Sequence, residues 1–259
     1  MEYYAGPTPA ARVDQIRKSL KAEIQKESNF MATSISIRKI NEFSIPEGKT
    51  EVKKAKVPLG SIIKSANTLN ISGLTFDVFD CTYSKDISDD ITVFIRELED
   101  YKELDTYKKQ FSFKMYYSES KKLLFSSSTT PITKAFLKAL SNTDGVDLDF
   151  DSIHFDLDDI SNMFGQTKGV RFSSTDQGVN SKSLSGYQVD INPEALTALE
   201  NDDATQIIGA MDIGQQSYTI MLTQSGTIMS FSKLIGYDNL EIPMLSFAID
   251  VLKKINYLK

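Results

Sequence analysis

Apolar and polar residues alternate along much of this chain, which is the pattern of strands with one buried face. The predicted strands lie at residues 34–45, 74–83, 111–117, 123–125, 205–213, 217–223 and 227–234, with further pairs around residues 148–157 and 169–191. A polar turn at residues 118–121 joins two of these strands, and Ser225-Gly226 joins the last two. Both arrangements predict β-hairpins.

Helical spacing marks several other segments. Ser88, followed by Asp89 and Asp90, is a strong helix start, and the apolar positions behind it predict a helix over residues 89–108. Pro243 opens a predicted C-terminal helix. Its apolar stripe comprises Leu245, Ala248, Ile249, Leu252 and Ile255. Shorter helices are predicted after Thr130-Pro131, near residues 158–164 and after Asn192-Pro193.

Residues 9–28 predict an N-terminal helix with a narrow apolar stripe made by Val13, Ile16, Leu20 and Ile24. Most of the remaining positions are charged. Such a helix is not stable alone in water and needs a surface to dock on. That surface could belong to its own domain, to another subunit or to a partner, so the helix is a candidate for contacts in a homo-oligomer or with a partner subunit.

The many hairpins and few strand–helix–strand patterns predict an α+β fold with mainly antiparallel sheets. The expected division is an N-terminal helical arm at residues 1–30, an α+β subdomain at 31–142 and a second at 143–259. The last two could equally form one continuous domain. Their boundary is placed at residues 141–145, a linker-like cluster where the local charge changes sign.

The chain contains one histidine, His154, one cysteine, Cys81, and no tryptophan. Ser-His-Asp and Cys-His mechanisms need a nucleophile, a base and an orienting group in contact, and a structural zinc needs about four Cys/His ligands. Both residues lie in strand-like alternation, and Cys81 is predicted to be a small buried hydrophobe. The scarcity argues against an enzyme, although it leaves the question open.

The composition indicates a folded protein of ordinary type, with 41% hydrophobic and 25% charged residues. One cysteine cannot form an internal disulfide, which favours a reducing compartment. No apolar run approaches the roughly 20 residues of a membrane helix, and the N-terminus lacks the apolar core of a secretory signal. We therefore expect a cytoplasmic location and no membrane partner.

The net charge of −6 conceals an uneven distribution. Residues 1–64 carry 12 basic and 7 acidic side chains, whereas residues 136–212 carry 4 and 14. These blocks either attract each other within the fold or create separate basic and acidic surfaces. The candidate binding residues on a basic face are Arg38, Lys39, Lys53, Lys54, Lys108, Lys109, Lys114, Tyr116, Lys121 and Lys122.

Lysines neutralise phosphates and tyrosines stack on unpaired bases, so this set fits nucleic acid. The alternative interpretation is ordinary solvated strand edges, where lysine also blocks unwanted strand pairing.

An acidic run offers the other candidate site. Asp147, Asp149 and Asp151 share one face of a predicted strand, and His154 follows on the acidic side. Carboxylates with one imidazole could hold Mg²⁺ or Mn²⁺. The alternative is that these residues form the solvated face of two amphipathic strands.

Together these patterns favour a non-catalytic cytoplasmic accessory protein, without a cofactor, that uses a basic surface to engage nucleic acid or an acidic protein partner. One alternative is a metal-dependent, nuclease-like phosphodiester hydrolase that uses the clustered aspartates and His154. Another is a structural subunit of an oligomer.

Overall fold

The computed structural model describes residues 32–54 and 57–258, which fold into a strand-rich structure. Its strands are β1 (Thr33–Ser44), β2 (Lys49–Lys54), β3 (Val57–Ile71), β4 (Leu74–Ile95), β5 (Asp100–Ser118), β6 (Leu123–Ser126), β7 (Asp147–Ser152), β8 (Gln166–Ser173), β9 (Ser181–Ser185), β10 (Ala204–Ile213), β11 (Gln216–Thr223) and β12 (Thr227–Ser230). The helices are α1 (Thr130–Leu140), α2 (Leu157–Ser161), α3 (Pro193–Glu200) and α4 (Pro243–Lys254), with a 3₁₀ turn at Val189–Ile191.

The predicted α+β class is corrected by this structure. Strands make up 53% of the described residues and helices 17%, so the fold is β-rich and its helices are few and short. The described strands form one 12-stranded sheet in the order β2-β3-β4-β5-β6-β1-β12-β11-β10-β8-β9, with β7 paired to β1. All the pairings between these strands are antiparallel.

Strand β1 lies at the centre of the sheet and connects its two halves. It pairs with β12 from Thr33 to Ser36, with β6 from Ser36 to Lys39 and with β7 from Arg38 to Ser44. Ile35 and Ile37 join the apolar cluster that contains α4, whereas Ile40 joins the cluster that contains α1. Strands from both sides of residue 142 therefore pair with β1, and the predicted subdomain division stays a prediction.

The predicted helix over residues 89–108 is wrong. Strand β4 continues to Ile95, a turn follows, and β5 begins at Asp100. Apolar residues at this spacing fit a helix, but Ile91, Val93 and Ile95 are β-branched and favour extended backbone. The two strands stay in register from Asp77 opposite Tyr117 to Ile95 opposite Asp100, apart from one irregularity between residues 88 and 91.

The outer parts of β4 and β5, residues 84–95 and 100–110, form what we call the ribbon. Strand β3 accompanies β4 only as far as Tyr83, and β6 pairs with β5 only from Met115 onwards. Within the described chain, the ribbon is therefore a two-stranded extension of the sheet. Twelve residues of extended chain span about 40 Å.

The predicted C-terminal helix is present as α4, whose apolar stripe packs into the larger core cluster. The predicted N-terminal helix at 9–28 lies outside the described residues. Across the described part of the chain, none of the helices combines the length and the apolar character that crossing a membrane requires.

Tyr116 on β5 is a buried phenol in the larger core cluster. Burial, together with the charges of Asp80 and Glu241, raises its pKa to about 12. Because the unfolded value is about 10, this group stabilises the folded state fully below that pH. The contribution is lost as the pH rises through the folded pKa.

The melting temperature is therefore expected to fall between about pH 10 and about pH 12, and to fall less steeply in Tyr116→Phe. Thermal unfolding followed by circular dichroism at several pH values measures this slope. Tyr187→Phe is the matched control because Tyr187 is 77% exposed. An equal slope in Tyr116→Phe and wild type would contradict the assignment.

Candidate nucleic-acid interface

The structure separates the predicted interface residues into several groups. Two of these residues, Arg38 and Tyr116, are not on the surface. Arg38 is buried and its guanidinium Nη1 donates to the backbone oxygens of Ile37, at 2.6 Å, and Ser225, at 2.9 Å. Tyr116 is also buried. Neither residue belongs to the candidate interface, because both side chains are buried. Arg38 binds backbone oxygens, and Tyr116 packs in the larger core cluster.

A second group is spread along the sheet and its edges. The Lys53 ammonium lies 2.9 Å from a Glu51 carboxylate oxygen on strand β2, and Lys114 lies 2.8 Å from Asp80. The side chain of Lys54 lies outside the described part of the structure. Lys108 and Lys109 are consecutive residues on the ribbon, so they point to opposite faces. These lysines do not converge on one surface.

Lys39, Lys121 and Lys122 do lie close together. Lys39 is in the middle of β1, directly opposite Leu123, the first residue of β6. Lys121 and Lys122 belong to the polar turn between β5 and β6, where the sequence predicted a hairpin. The Ile40 amide donates to the Lys122 carbonyl at 2.9 Å, which fixes this turn against β1.

Neighbouring side chains hold the Lys122 ammonium at the turn. The Lys122 ammonium lies 3.7 Å from a Glu119 carboxylate oxygen and 3.5 Å from the Tyr117 hydroxyl. The exposed Lys39 and Lys121 line a cleft of about 410 Å³. The other residues lining that cleft are Leu123, Asn256, Tyr257 and Leu258.

The other wall of the cleft is built by residues that follow α4. Asn256 has a left-handed backbone conformation, with φ of 58°, and the amides of Tyr257 and Leu258 donate to the Leu252 carbonyl at 2.9 and 3.1 Å. This is a usual way to end a helix, and asparagine tolerates the conformation well. It turns the chain back, and Tyr257 and Leu258 then line the cleft together with Lys39.

The Tyr257 ring is held in place by an edge-to-face contact with Phe155, with centroids 5.3 Å apart, while 36% of the residue stays exposed. Burial raises the pKa of the Tyr257 phenol above its ordinary value, so the group is neutral at physiological pH. The cleft thus presents two ammonium groups and one oriented aromatic ring.

The sequence placed Lys39, Lys121 and Lys122 in the candidate set but missed the C-terminal residues. Asn256 is a recognisable helix-end signal. However, nothing in the local pattern indicates that the residues after it line a cleft together with Lys39 of β1, because that placement depends on how α4 packs against the sheet.

The acidic candidates are distributed over different partners. The Asn41 side-chain amide donates to Asp149 and to Asp151, both at 3.0 Å, on the exposed face of β7. His154 instead lies beside Asp202, with Nε2 3.3 Å from a carboxylate oxygen. Asp147 is the exposed first residue of the same strand.

Within residues 32–54 and 57–258, no group of three or more His, Cys, Asp or Glu side chains is arranged to hold a metal ion. The Mg²⁺ or Mn²⁺ hypothesis stays a prediction. Its four residues do not form one donor set here, since His154 is directed to a different carboxylate from those that Asn41 binds.

The lone cysteine is in the core. Cys81 is buried on β4, and burial raises the pKa of its thiol well above the ordinary value. A thiol held in its neutral form is a poor nucleophile. The predicted role as a small buried hydrophobe agrees with this environment.

Comparison with known proteins provides no family assignment: no family model and no curated protein matches the sequence.

Proposed function

We propose that this protein is a non-catalytic binding protein that holds single-stranded nucleic acid in the cleft between β1, the β5–β6 turn and the C-terminus. The observation that carries the proposal is the placement of Lys39, Lys121 and the exposed ring of Tyr257 around one concave space. We also propose a cytoplasmic location, because a single cysteine cannot form an internal disulfide and so suits a reducing compartment.

The side chains of the cleft match the two parts of a nucleotide strand. Ammonium groups neutralise backbone phosphates and release counterions, whereas aromatic rings stack on unpaired bases. The Tyr257 ring is already oriented by Phe155, so little side-chain freedom would be lost on binding. A duplex keeps its bases stacked on each other, which favours a single strand as the ligand of this site.

The proposal assigns no reaction to the chain. His154 is paired with Asp202 at the surface, and Cys81 is buried with a raised pKa, so neither is placed to act on a strand in the cleft. The acidic balance of the chain, with a net charge of −6, restricts the expected contact to a local patch.

The double charge reversal Lys39→Glu/Lys121→Glu is expected to weaken binding of a fluorescent oligothymidine about tenfold at low salt, because it replaces two phosphate contacts with repulsion. Fluorescence anisotropy across a salt series measures the effect. Two phosphate contacts on a single strand give a slope of log Kobs against log salt of about −1.4 in the wild type, and the variant should lose most of that slope.

The matched control is Lys108→Glu/Lys109→Glu, which makes the same charge change on the ribbon. It should bind like the wild type, because the ribbon is not part of the cleft. Thermal melts followed by circular dichroism are the check that both variants are folded. Equal loss of binding in the two variants, or absence of any binding by the wild type to DNA or RNA strands, contradicts the proposal.

A further inference from the structure

The ribbon exposes an unusual amount of apolar surface for a part of the sheet with only two strands. Val93, Phe94, Tyr101 and Leu104, and also Leu98 in the connecting turn, are all exposed by 36% or more. An isolated two-stranded ribbon is only marginally stable in water and normally needs a third element against one face. A segment that packed on one face of the ribbon would bury this apolar surface and stabilise the two strands.

The aliphatic side chains lie on one face. Ile91 is directly opposite Leu104, Val93 is opposite Lys102, and Ile95 is opposite Asp100. Directly opposed residues of an antiparallel pair point to the same side, and residues two apart on one strand do so as well. Ile91, Val93, Ile95 and Leu104 consequently share one largely aliphatic face, to which the charged residues Lys102 and Asp100 also belong.

The opposite face is different in character. Phe94 and Tyr101 pair across the strands there, with ring centroids 5.0 Å apart, and cover part of each other's surface. Next to them Thr92 is opposite Glu103. Phe94 and Tyr101 are still 48% and 67% exposed, so both faces leave apolar surface uncovered by the described residues. The aliphatic face is the one whose side chains match an aliphatic stripe on a covering helix.

The charge around the ribbon end is strongly negative. The stretch from Asp89 to Asp105 holds seven acidic and two basic side chains. A segment that covers this region should therefore combine an aliphatic stripe with a net positive charge.

The N-terminal part of the chain has that combination. Residues 9–28 carry five basic and three acidic side chains, and the aliphatic residues Val13, Ile16, Leu20 and Ile24 repeat at helical spacing. A helix of this length would be about 30 Å long, compared with about 40 Å for the ribbon.

The start of β1 puts this segment close to the ribbon. Strands β1 and β5 are both antiparallel to β6, so they run in the same direction. Ser36 of β1 and Met115 of β5 lie directly opposite Ser126, one on each side of β6. Going backwards from Thr33 thus leads in the direction in which the ribbon extends, about 10 Å to its side. The four residues 29–32 can span about 13 Å.

From these observations we propose that residues 9–28 pack along the aliphatic face of the ribbon in the same copy of the chain. The stripe of Val13, Ile16, Leu20 and Ile24 covers Ile91, Val93, Ile95 and Leu104, and the basic side chains face the acidic ribbon end. The contact is independent of the proposed nucleic-acid cleft.

Hydrogen–deuterium exchange on the full chain tests the contact. Ile16→Asp/Leu20→Asp is expected to accelerate exchange of the ribbon amides at least about tenfold, because it places charge on the covering stripe. Ala22→Asp/Gln25→Asp makes the same charge change on the opposite side of the predicted helix and should leave ribbon exchange at the wild-type rate. Amides of β10 and β11 serve as the internal reference. Unchanged ribbon exchange in the first variant, or equal acceleration in both, overturns the proposal.

A variant on the ribbon tests the same contact from the other side, through the protease sensitivity of residues 9–28. Val93→Asp should make tryptic cleavage after Arg17 several-fold faster, whereas Thr92→Asp, its neighbour on the other face, should not. Light scattering separates the two possible sources of the segment: the mass should be the same for wild type and Ile16→Asp/Leu20→Asp. A lower mass in that variant assigns the segment to a neighbouring copy and overturns the contact within one chain.

Discussion

Replacing Phe136 with alanine is expected to lower the free energy of unfolding by about 4 kcal/mol. Phe136 lies on α1, is fully buried, and makes edge-to-face contacts with Tyr83 and Phe113 at centroid distances of 5.9 and 5.3 Å. These two residues belong to β4 and β5 at the base of the ribbon. The substitution removes a large apolar side chain and leaves a cavity between the helix and the sheet.

Urea unfolding followed by far-ultraviolet circular dichroism measures the loss. Lys134→Ala is the control, since Lys134 lies on the same helix with its side chain exposed and should change stability by less than about 0.5 kcal/mol. A loss below about 1 kcal/mol in Phe136→Ala would show that α1 does not hold this part of the sheet together. Hydrogen exchange at the ribbon base should rise in parallel.

Gly226→Ala is expected to destabilise the fold by about 3 kcal/mol. The added Cβ atom would cause both backbone strain and steric overlap. Gly226 has a φ of +89°, which L-residues rarely adopt, and a Cβ there would overlap the side chain of Ile153 and lie 2.9 Å from the Ile37 carbonyl oxygen. The Gly226 carbonyl also accepts a hydrogen bond of 2.7 Å from the Ile37 amide. The turn therefore approaches β1 too closely for any side chain.

Gly214→Ala separates the two causes, because Gly214 has a φ of +63° but open space around its Cβ position. It should cost only about 1 kcal/mol, the strain of the backbone alone. A double-mutant cycle with Ile153→Ala should recover part of the loss at Gly226, since that change removes the overlapping atoms. If both variants lost the same free energy of unfolding, the close approach of Gly226 to β1 would not contribute to the effect.

The ribbon shows where sequence patterns mislead. Ser88 followed by Asp89 and Asp90 is a good helix start, and the apolar residues behind it have helical spacing. The same residues also fit a two-stranded ribbon with apolar side chains on both faces. A strand without one buried face does not require apolar and polar residues to alternate. The β-branched residues favoured the strand, and the pairing of Ile91 with Leu104 across the turn decided it.

The basic residues show a similar limit. The composition of the segments predicted that lysines would gather on one face, but the sheet places Lys108 and Lys109 on opposite sides of the ribbon and Lys114 beside Asp80. Arg38 reads as a surface residue in the sequence, yet it links β1 to the β11–β12 turn from inside. Which lysines meet depends on strand register, which local composition does not specify.

The sequence by itself determined the positions of most strands, the hairpin after β5, the final helix and the burial of Cys81, because each follows from short-range periodicity and turn chemistry. Only the tertiary structure decided that β1 joins both halves of one sheet, that residues 84–95 and 100–110 form a ribbon and that residues 256–258 line a cleft beside Lys39. Those features depend on pairings between segments far apart in the chain, and their free energy comes from contacts that no local window contains.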